Sequence, residues 1–150
     1  MTISEYINEK NKLMYEIQSS EAKIKLLRDK AVSCQAPLRA DAGLNPTKNI
    51  HKTEDIIIDK ITLEENVRAA TEKLDILNNR FRESLKLLDK PEYRTAVELR
   101  TLMGIPWNKV ASSMGYCTRQ VQRFHEKAEL QLEKMSHHVA PCTIDFVSSI

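Results

Sequence analysis

The sequence predicts an all-α protein in which a long antiparallel coiled-coil helical hairpin precedes a three-helix domain. Among its 150 residues only 3 are Gly and 5 are Pro, while 29% are charged, a composition that suits long exposed helices better than a sheet or barrel. Apolar residues recur every three or four positions, the spacing of one helix face. Interruptions of this spacing divide the chain into a hairpin (1–90), a compact domain (91–135) and a flexible tail (136–150).

The first predicted helix spans residues 3–32 and has a heptad pattern. One position of the pattern holds Ile3, Lys10, Ile17, Ile24 and Ala31, and the other holds Tyr6, Leu13, Ser20 and Leu27. Ser4 or Thr2 can cap its start. Residues 33–53 then break the pattern with Pro37, Gly43 and Pro46, which predicts a loop.

The second predicted helix spans residues 54–89. Its two heptad positions hold Ile56, Leu63, Ala70, Leu77 and Ser84, and Val67, Leu74, Phe81 and Leu88. Two heptad helices joined by a loop are expected to pair as an antiparallel coiled coil. A two-helix seam buries little surface, so we expect a partner, either a second copy or another protein. The alternative is that the helices pack only on each other or on the C-terminal domain.

Three further helices are predicted after Pro91, which ends the preceding helix because the residue before a proline disfavours helical angles. They span residues 91–103, 106–114 and 118–135. The first of them supplies apolar contacts through Tyr93, Ala96, Val97, Leu99, Leu102 and Met103. Together the three helices predict a compact three-helix domain, residues 91–135, which is about 45 residues long.

Residues 106–124 have the pattern of a helix-turn-helix. Pro106 suits the first turn of a helix, where its missing N–H costs nothing. An apolar face follows, formed by Trp107, Val110, Ala111 and Met114. Gly115 suits the left-handed backbone that ends a helix, and Thr118 is a better side-chain cap for the next helix than Cys117.

Four polar side chains are predicted to face outward at the start of the last helix: Thr118, Arg119, Gln122 and Arg123. Arg and Gln bind base edges and phosphates well, so this stretch predicts the reading of duplex DNA. Lys127 extends this face along the helix. Between residues 118 and 127 the one acidic side chain is Glu126. The alternative is an ordinary packing unit, because helical hairpins that bind nothing share this spacing.

The charge is small but uneven. The net charge is +2; residues 54–90 hold 7 basic and 9 acidic side chains, whereas residues 91–135 hold 7 basic and 5 acidic. A local basic face suffices for phosphate contact, but a weakly charged monomer is expected to bind DNA only feebly without sequence recognition. Paired half-sites on a dimer would offset this weakness.

Other classes of function are disfavoured. The three cysteines have no short pair spacing, so we expect neither a disulfide framework nor a metal clip, and His137, His138 and Cys142 lack a fourth ligand. The N-terminus turns charged at once and no apolar run reaches about 20 residues, which favours a reducing cytoplasm without a leader or membrane span. With no phosphate loop and no catalytic constellation, we expect a non-enzyme without cofactors.

Three segments carry a resemblance to a known family. Residues 91–100 (PEYRTAVELR), 107–116 (WNKVASSMGY) and 119–128 (RQVQRFHEKA) resemble phage and prophage regulators of Gram-positive bacteria, the late-gene transcription regulators related to the ArpU and RinA groups. The resemblance covers residues 54–135 well and residues 1–32 only as a heptad pattern. It implies a coiled-coil N-terminal half and a C-terminal helix-turn-helix like region four of sigma-70 factors.

In sigma region four the last helix lies in the major groove, and by position this makes Thr118, Arg119, Gln122 and Arg123 the reading face. Arg119 stands where sigma factors often have Glu. Because Glu accepts from cytosine whereas Arg donates to guanine, the resemblance does not imply the −35 promoter consensus. Lys109 and Arg100 are expected to contact phosphate, with a solvated surface charge as the alternative for each.

The expected function is therefore a sequence-specific, DNA-binding transcription regulator of phage or prophage origin. It would read double-stranded DNA with residues 118–135 and would use the coiled coil to form a homo-oligomer or to contact RNA polymerase, in the bacterial cytoplasm at the nucleoid. The alternative is a protein-interaction module, such as a small-terminase-like packaging protein, that does not read DNA. Salt separates the two, because DNA binding weakens steeply as salt rises.

Overall fold

The computed structural model of the chain describes residues 1–34 and 46–138. These residues form helices and short turns with no strand among them, which confirms the all-α prediction. The α-helices are α1 (Ile3–Cys34), α2 (Pro46–Leu85), α3 (Pro91–Val97), α4 (Trp107–Met114) and α5 (Thr118–His138). A π-helix, Glu98–Leu102, lies between α3 and α4.

Two helix bounds differ from the prediction at α2. The helix begins at Pro46, so the predicted loop is wrong over residues 46–53. It is also wrong over residues 33–34, where α1 continues to Cys34. Residues 35–45 of that loop lie outside the described chain. A proline at the first position of a helix loses no hydrogen bond, so Pro46 starts this helix and does not mark a loop. At the other end α2 stops at Leu85, not at residue 89, because Leu88 N–H bonds Leu85 O at 3.1 Å in a tight turn.

The helix at the C-terminal end also runs further than predicted. α5 continues to His138, so the predicted flexible tail is wrong for residues 136–138. One hydrogen bond in this last turn joins the Ser136 hydroxyl to the Glu133 carbonyl at 2.8 Å. The rest of the predicted tail, residues 139–150, lies outside the described residues.

The described chain divides into two compact units. Lys10–Ile76 forms one, called here the two-helix unit, and Met1–Glu9 together with the chain from Leu77 onward forms the other, called here the terminal unit. Both α1 and α2 therefore contribute to each unit. The candidate DNA-binding residues all belong to the terminal unit.

Burial in the two-helix unit follows the heptad positions. Every predicted seam residue between 10 and 31 and between 56 and 74 is buried or half-buried: Lys10, Leu13, Ile17, Ser20, Ile24, Leu27, Ala31, Ile56, Leu63, Val67, Ala70 and Leu74. Most positions between them are exposed. The apolar face of each helix is thus the face that the sequence marks.

The terminal unit includes the start of α1, which packs on the end of α2. The rings of Tyr6 and Phe81 stack with centroids 4.1 Å apart and planes 10° apart. The Tyr6 hydroxyl donates a hydrogen bond of 2.7 Å to the Asn78 side-chain carbonyl. Burial raises the pKa of Tyr6, and the nearby Arg82 charge lowers it by less. Ile3 and Leu85 are also buried in the terminal unit.

A second cluster joins α3, α4 and α5. Ala96, Val110, Ala111 and Val121 are buried together, and Leu99, Ile105, Trp107, Met114 and Phe124 pack against them. Helical spacing predicted apolar contacts for six of these residues, and their packing is confirmed: Ala96, Leu99, Trp107, Val110, Ala111 and Met114. Met103, predicted to make such contacts with them, is instead 67% exposed. Packing in this cluster buries one side of α5 and leaves the opposite side of the helix facing solvent.

The predicted helix over residues 91–103 is confirmed as far as Leu102, but it is α-helical only to Val97, where the chain widens into the π-helix. Met103 N–H bonds Glu98 O, five residues back, at 3.1 Å. Gly104 then takes a positive φ of 67°, and Ile105 N–H bonds Leu99 O at 3.0 Å. A left-handed turn at glycine lets the chain reverse without steric cost, and here it returns Ile105 to the core.

Candidate nucleic-acid interface

The turn between α4 and α5 depends on Gly115. This residue has φ 73° and ψ 25°, the left-handed conformation predicted for it. Its N–H and that of Tyr116 both bond Ala111 O, the latter at 3.1 Å. Such bonds satisfy carbonyls that a helix end otherwise leaves unpaired, so the turn is closed by its own backbone.

The start of α4 lies one residue later than predicted. Pro106 has φ −59° and ψ 147° and precedes the helix as its cap. Its carbonyl accepts hydrogen bonds from Lys109 N–H at 3.0 Å and from Val110 N–H at 3.1 Å. Because φ of proline is fixed near this value, the residue still sets the direction in which α4 leaves the turn.

The predicted side-chain cap at the start of α5 is wrong. Thr118 is the first helical residue, and Cys117 occupies the cap position, where its carbonyl accepts from Gln120 N–H at 3.0 Å and Val121 N–H at 3.2 Å. Aromatic packing holds the chain here, with the Tyr116 ring edge-on to the Phe124 ring and centroids 5.1 Å apart. Packing therefore places the start of the helix without a hydroxyl cap.

Three cations follow one exposed stripe of α5. Arg119, Arg123 and Lys127 recur every fourth residue, and all three are exposed. In the described part of the chain, none of these three side chains forms a hydrogen bond or an ion pair. Gln122 and Thr118 are half-buried beside this stripe. The structure thus brings the predicted reading face and Lys127 together along one helix.

The two other arginines of this region are bonded internally. Arg94 donates to Leu88 O from Nη2 at 2.9 Å and from Nε at 3.2 Å. Arg100, predicted to contact phosphate, donates to Ile105 O at 3.2 Å and lies over the Trp107 ring, 4.8 Å from its centroid. Arg100 is therefore engaged in holding the turn before α4.

Lys109, the other predicted phosphate contact, is exposed on α4. Its side chain makes no ion pair among the described residues, while its backbone carbonyl accepts the Ser113 hydroxyl at 2.8 Å. Among the described residues, Lys109 and the three cations of the α5 stripe are thus unpaired around the turn, whereas Arg100 is bonded.

His125 is half-buried and makes contacts that the sequence analysis does not predict. Its ring meets the Trp107 ring edge-on with centroids 5.3 Å apart, and its Nε2 lies 3.4 Å from the Thr101 hydroxyl. Burial lowers its pKa below 6.5, Arg100 lowers it further, and Glu129 and Glu126 oppose the shift. The spacing to Val121 and Ala128, four and three residues away, was the available signal.

The described residues form neither a metal-binding group nor a membrane-spanning helix. No group of three His, Cys, Asp or Glu side chains there lies close enough to hold a metal ion. No helix in residues 1–34 and 46–138 has an apolar stretch that would cross a membrane.

The chain matches no protein-family model, no curated protein and no solved structure.

Proposed function

We propose that the protein is a sequence-specific, DNA-binding transcription regulator in which α4, the Gly115 turn and α5 act as a helix-turn-helix. The observation that carries this proposal is the contrast among the cations. Arg94 and Arg100 are bonded to backbone carbonyls, whereas Arg119, Arg123 and Lys127 are exposed and unpaired among the described residues. Long cationic side chains held on a packed helix suit a polyanionic ligand.

The reading face is assigned to the first two turns of α5. In helix-turn-helix proteins the N-terminal residues of the second helix contact base edges. Arg119 and Arg123 present guanidinium groups that pair bidentately with guanine, and Gln122 presents an amide that pairs with adenine. Lys127 and Lys109, further along the surface, would contact phosphates and give affinity without sequence preference.

The resemblance to late-gene regulators of phages supplies the biological setting of the proposal. The arrangement proposed is that of sigma-70 region four, preceded by a coiled coil formed by the two-helix unit that assembles copies or contacts RNA polymerase. The protein would act in the bacterial cytoplasm, at the nucleoid, without catalysis. Because Arg119 replaces the Glu common in sigma factors, the proposed site is not the −35 element.

Selection of bound oligonucleotides from a random pool, followed by titration at fixed salt, tests the proposal. Arg119→Ala with Arg123→Ala should weaken binding to the selected site by about 30-fold or more, because two bidentate base contacts are lost and each contributes about 1–3 kcal/mol. The matched control, Lys52→Ala with Arg68→Ala, removes two charges from exposed positions of the two-helix unit and should change binding little. Equal losses in both double variants would reject the reading face.

One observation favours a protein partner for the same surface. Leu130 is 55% exposed and lies three residues beyond Lys127 on the same side of α5. An apolar side chain there suits contact with another protein better than contact with phosphate. Binding that a rise in salt leaves unchanged would support this second candidate, since protein–DNA affinity falls with salt in proportion to the phosphates contacted.

A further inference from the structure

The two-helix unit has a groove along one face. Two adjoining cavities, of about 340 and about 400 Å³, share Lys23 and are each lined by both α1 and α2. Ser20 and Ala70 give the groove a narrow floor of small side chains. Leu26 lines the second cavity and is 62% exposed, and Tyr15 lines the first and is 73% exposed. We call this surface the groove face.

The seam beneath this face is only partly buried. Among the side chains described in residues 10–32 and 52–76, Ala70 is the one classed as fully buried. The larger seam residues Ile24 and Leu63 are half-buried. An amphipathic helix gains its stability by burying its apolar stripe, so this unit would gain from a second pair of helices placed against it.

The charges of the two helices are opposite. Residues 10–32 of α1 carry six basic and three acidic side chains, whereas residues 52–76 of α2 carry four basic and seven acidic ones. A second copy offers both signs, and a two-fold dimer along the unit can set the basic helix of each copy on the acidic helix of the other. A two-fold axis that runs across both helices, at right angles to them, would instead place α1 on α1 and α2 on α2. Helices of like charge would then face each other, which is unfavourable.

The residues that line the groove face show the same complementarity of charge at two positions along the helices, one in each cavity. Glu16 of α1 and Lys73 of α2 line the first cavity, and Lys30 of α1 and Asp59 of α2 line the second. When two groove faces meet about an axis parallel to the helices, α1 of one copy lies over α2 of the other at the same level. Glu16 then faces Lys73 of the second copy, and Lys30 faces Asp59.

We propose that the groove face binds a second copy of the chain in a parallel, two-fold, four-helix arrangement with α1 against α2 of the other copy. Leu26 and Tyr15 become buried between the copies, and the Glu16–Lys73 and Lys30–Asp59 pairs set the symmetry and the register. Isologous two-fold contact is the commonest form of self-association. This inference concerns protein alone and does not rest on DNA binding.

Sedimentation equilibrium over a dilution series, without DNA, tests the face. The wild-type chain should dimerise, Leu26→Asp should weaken the dimer by about 10-fold or more, and the control Ile58→Asp, at a 60% exposed position that does not line the groove, should not. Circular dichroism checks that both variants keep their helices. A monomeric wild type, or a dimer lost with Ile58→Asp but kept with Leu26→Asp, would overturn the proposal.

A mixing experiment tests the symmetry. Glu16→Lys alone and Lys73→Glu alone each place two like-charged pairs across the proposed dimer and should weaken it by about 10-fold, because two exposed pairs change sign. Mixed in equal amounts, the two variants place opposite charges across both pairs and should form heterodimers about as tight as wild type. Repulsion within each copy is unchanged by mixing, so failure of the mixture to associate would reject α1 against α2.

Discussion

The guanidinium of Arg100 lies 4.8 Å from the centroid of the Trp107 ring and joins the π-helix to the first residue of α4. The same side chain donates to the carbonyl of Ile105 at 3.2 Å, in the turn that leads into α4. Through these two contacts Arg100 holds the π-helix against the start of α4, and so it helps to position the candidate interface.

Arg100→Ala should lower the free energy of unfolding by about 1–3 kcal/mol. The change removes a cation–π contact and leaves the Ile105 carbonyl without this donor. Urea unfolding followed by circular dichroism measures the loss. Arg119→Ala, at an exposed position with no such contact, serves as the matched control and should change stability by less than about 0.5 kcal/mol.

The stability of the terminal unit should depend on pH through His125. Burial lowers its pKa in the folded chain below 6.5, so the unfolded chain binds the proton more readily. The sign follows from linkage: stability is full above pH 6.5 and falls as the pH drops from 6.5 through the lowered pKa.

Urea unfolding at a series of pH values checks this dependence. His125→Gln should flatten the decline between neutral and mildly acidic pH, while His137→Gln, at an exposed position, should leave the decline in place. A wild-type curve that keeps its stability below pH 6.5 would contradict the prediction.

Gly115→Ala should destabilise the chain by about 1–2 kcal/mol, because φ is 73° there and a Cβ is unfavourable in the left-handed region. Apart from Gly115 and its two neighbours in the chain, no residue has an atom within 4 Å of the position that this Cβ would take, so the cost is one of backbone conformation. Gly115→Asn should cost less, since Asn tolerates this region best among residues with side chains. Thermal unfolding of both variants gives the order, and an equal loss would show that a contact, not φ, is involved.

Tyr6 tests how the start of α1 contributes to the terminal unit. Tyr6→Phe removes the 2.7 Å hydrogen bond to Asn78 but keeps the ring stacked on Phe81, and should cost about 1 kcal/mol. Tyr6→Ala removes the ring as well and should cost about 3–5 kcal/mol. Urea unfolding separates these values, and similar losses in the two variants would mean that the hydroxyl, not the ring, carries the contact.

Periodicity predicted the helices and their buried faces because it records which side chains avoid water. The heptad positions from Leu13 to Leu27 are the less exposed ones, and Gly115 is left-handed because few other residues tolerate that conformation. Periodicity does not record hydrogen bonding, however. It therefore missed the widening at Glu98, where the bonds change partner from four to five residues apart.

The candidate interface shows the same division. Exposure of Arg119 and Arg123 followed from their helical spacing, and the structure agrees. Helical spacing did not predict the partners of Arg100. They depend on the turn after the π-helix, which brings Ile105 and Trp107 within reach of this side chain. Contacts made across a turn require the path of the backbone, which local spacing does not supply.

The stacking of Tyr6 on Phe81 also orders events during synthesis of the chain. Tyr6 is made 75 residues before Phe81, so at about 5–20 residues per second it waits roughly 4–15 s for its partner. Until Phe81 leaves the ribosome, the apolar start of α1 has no native surface to cover it. The nascent chain therefore exposes this segment to chaperones throughout this interval.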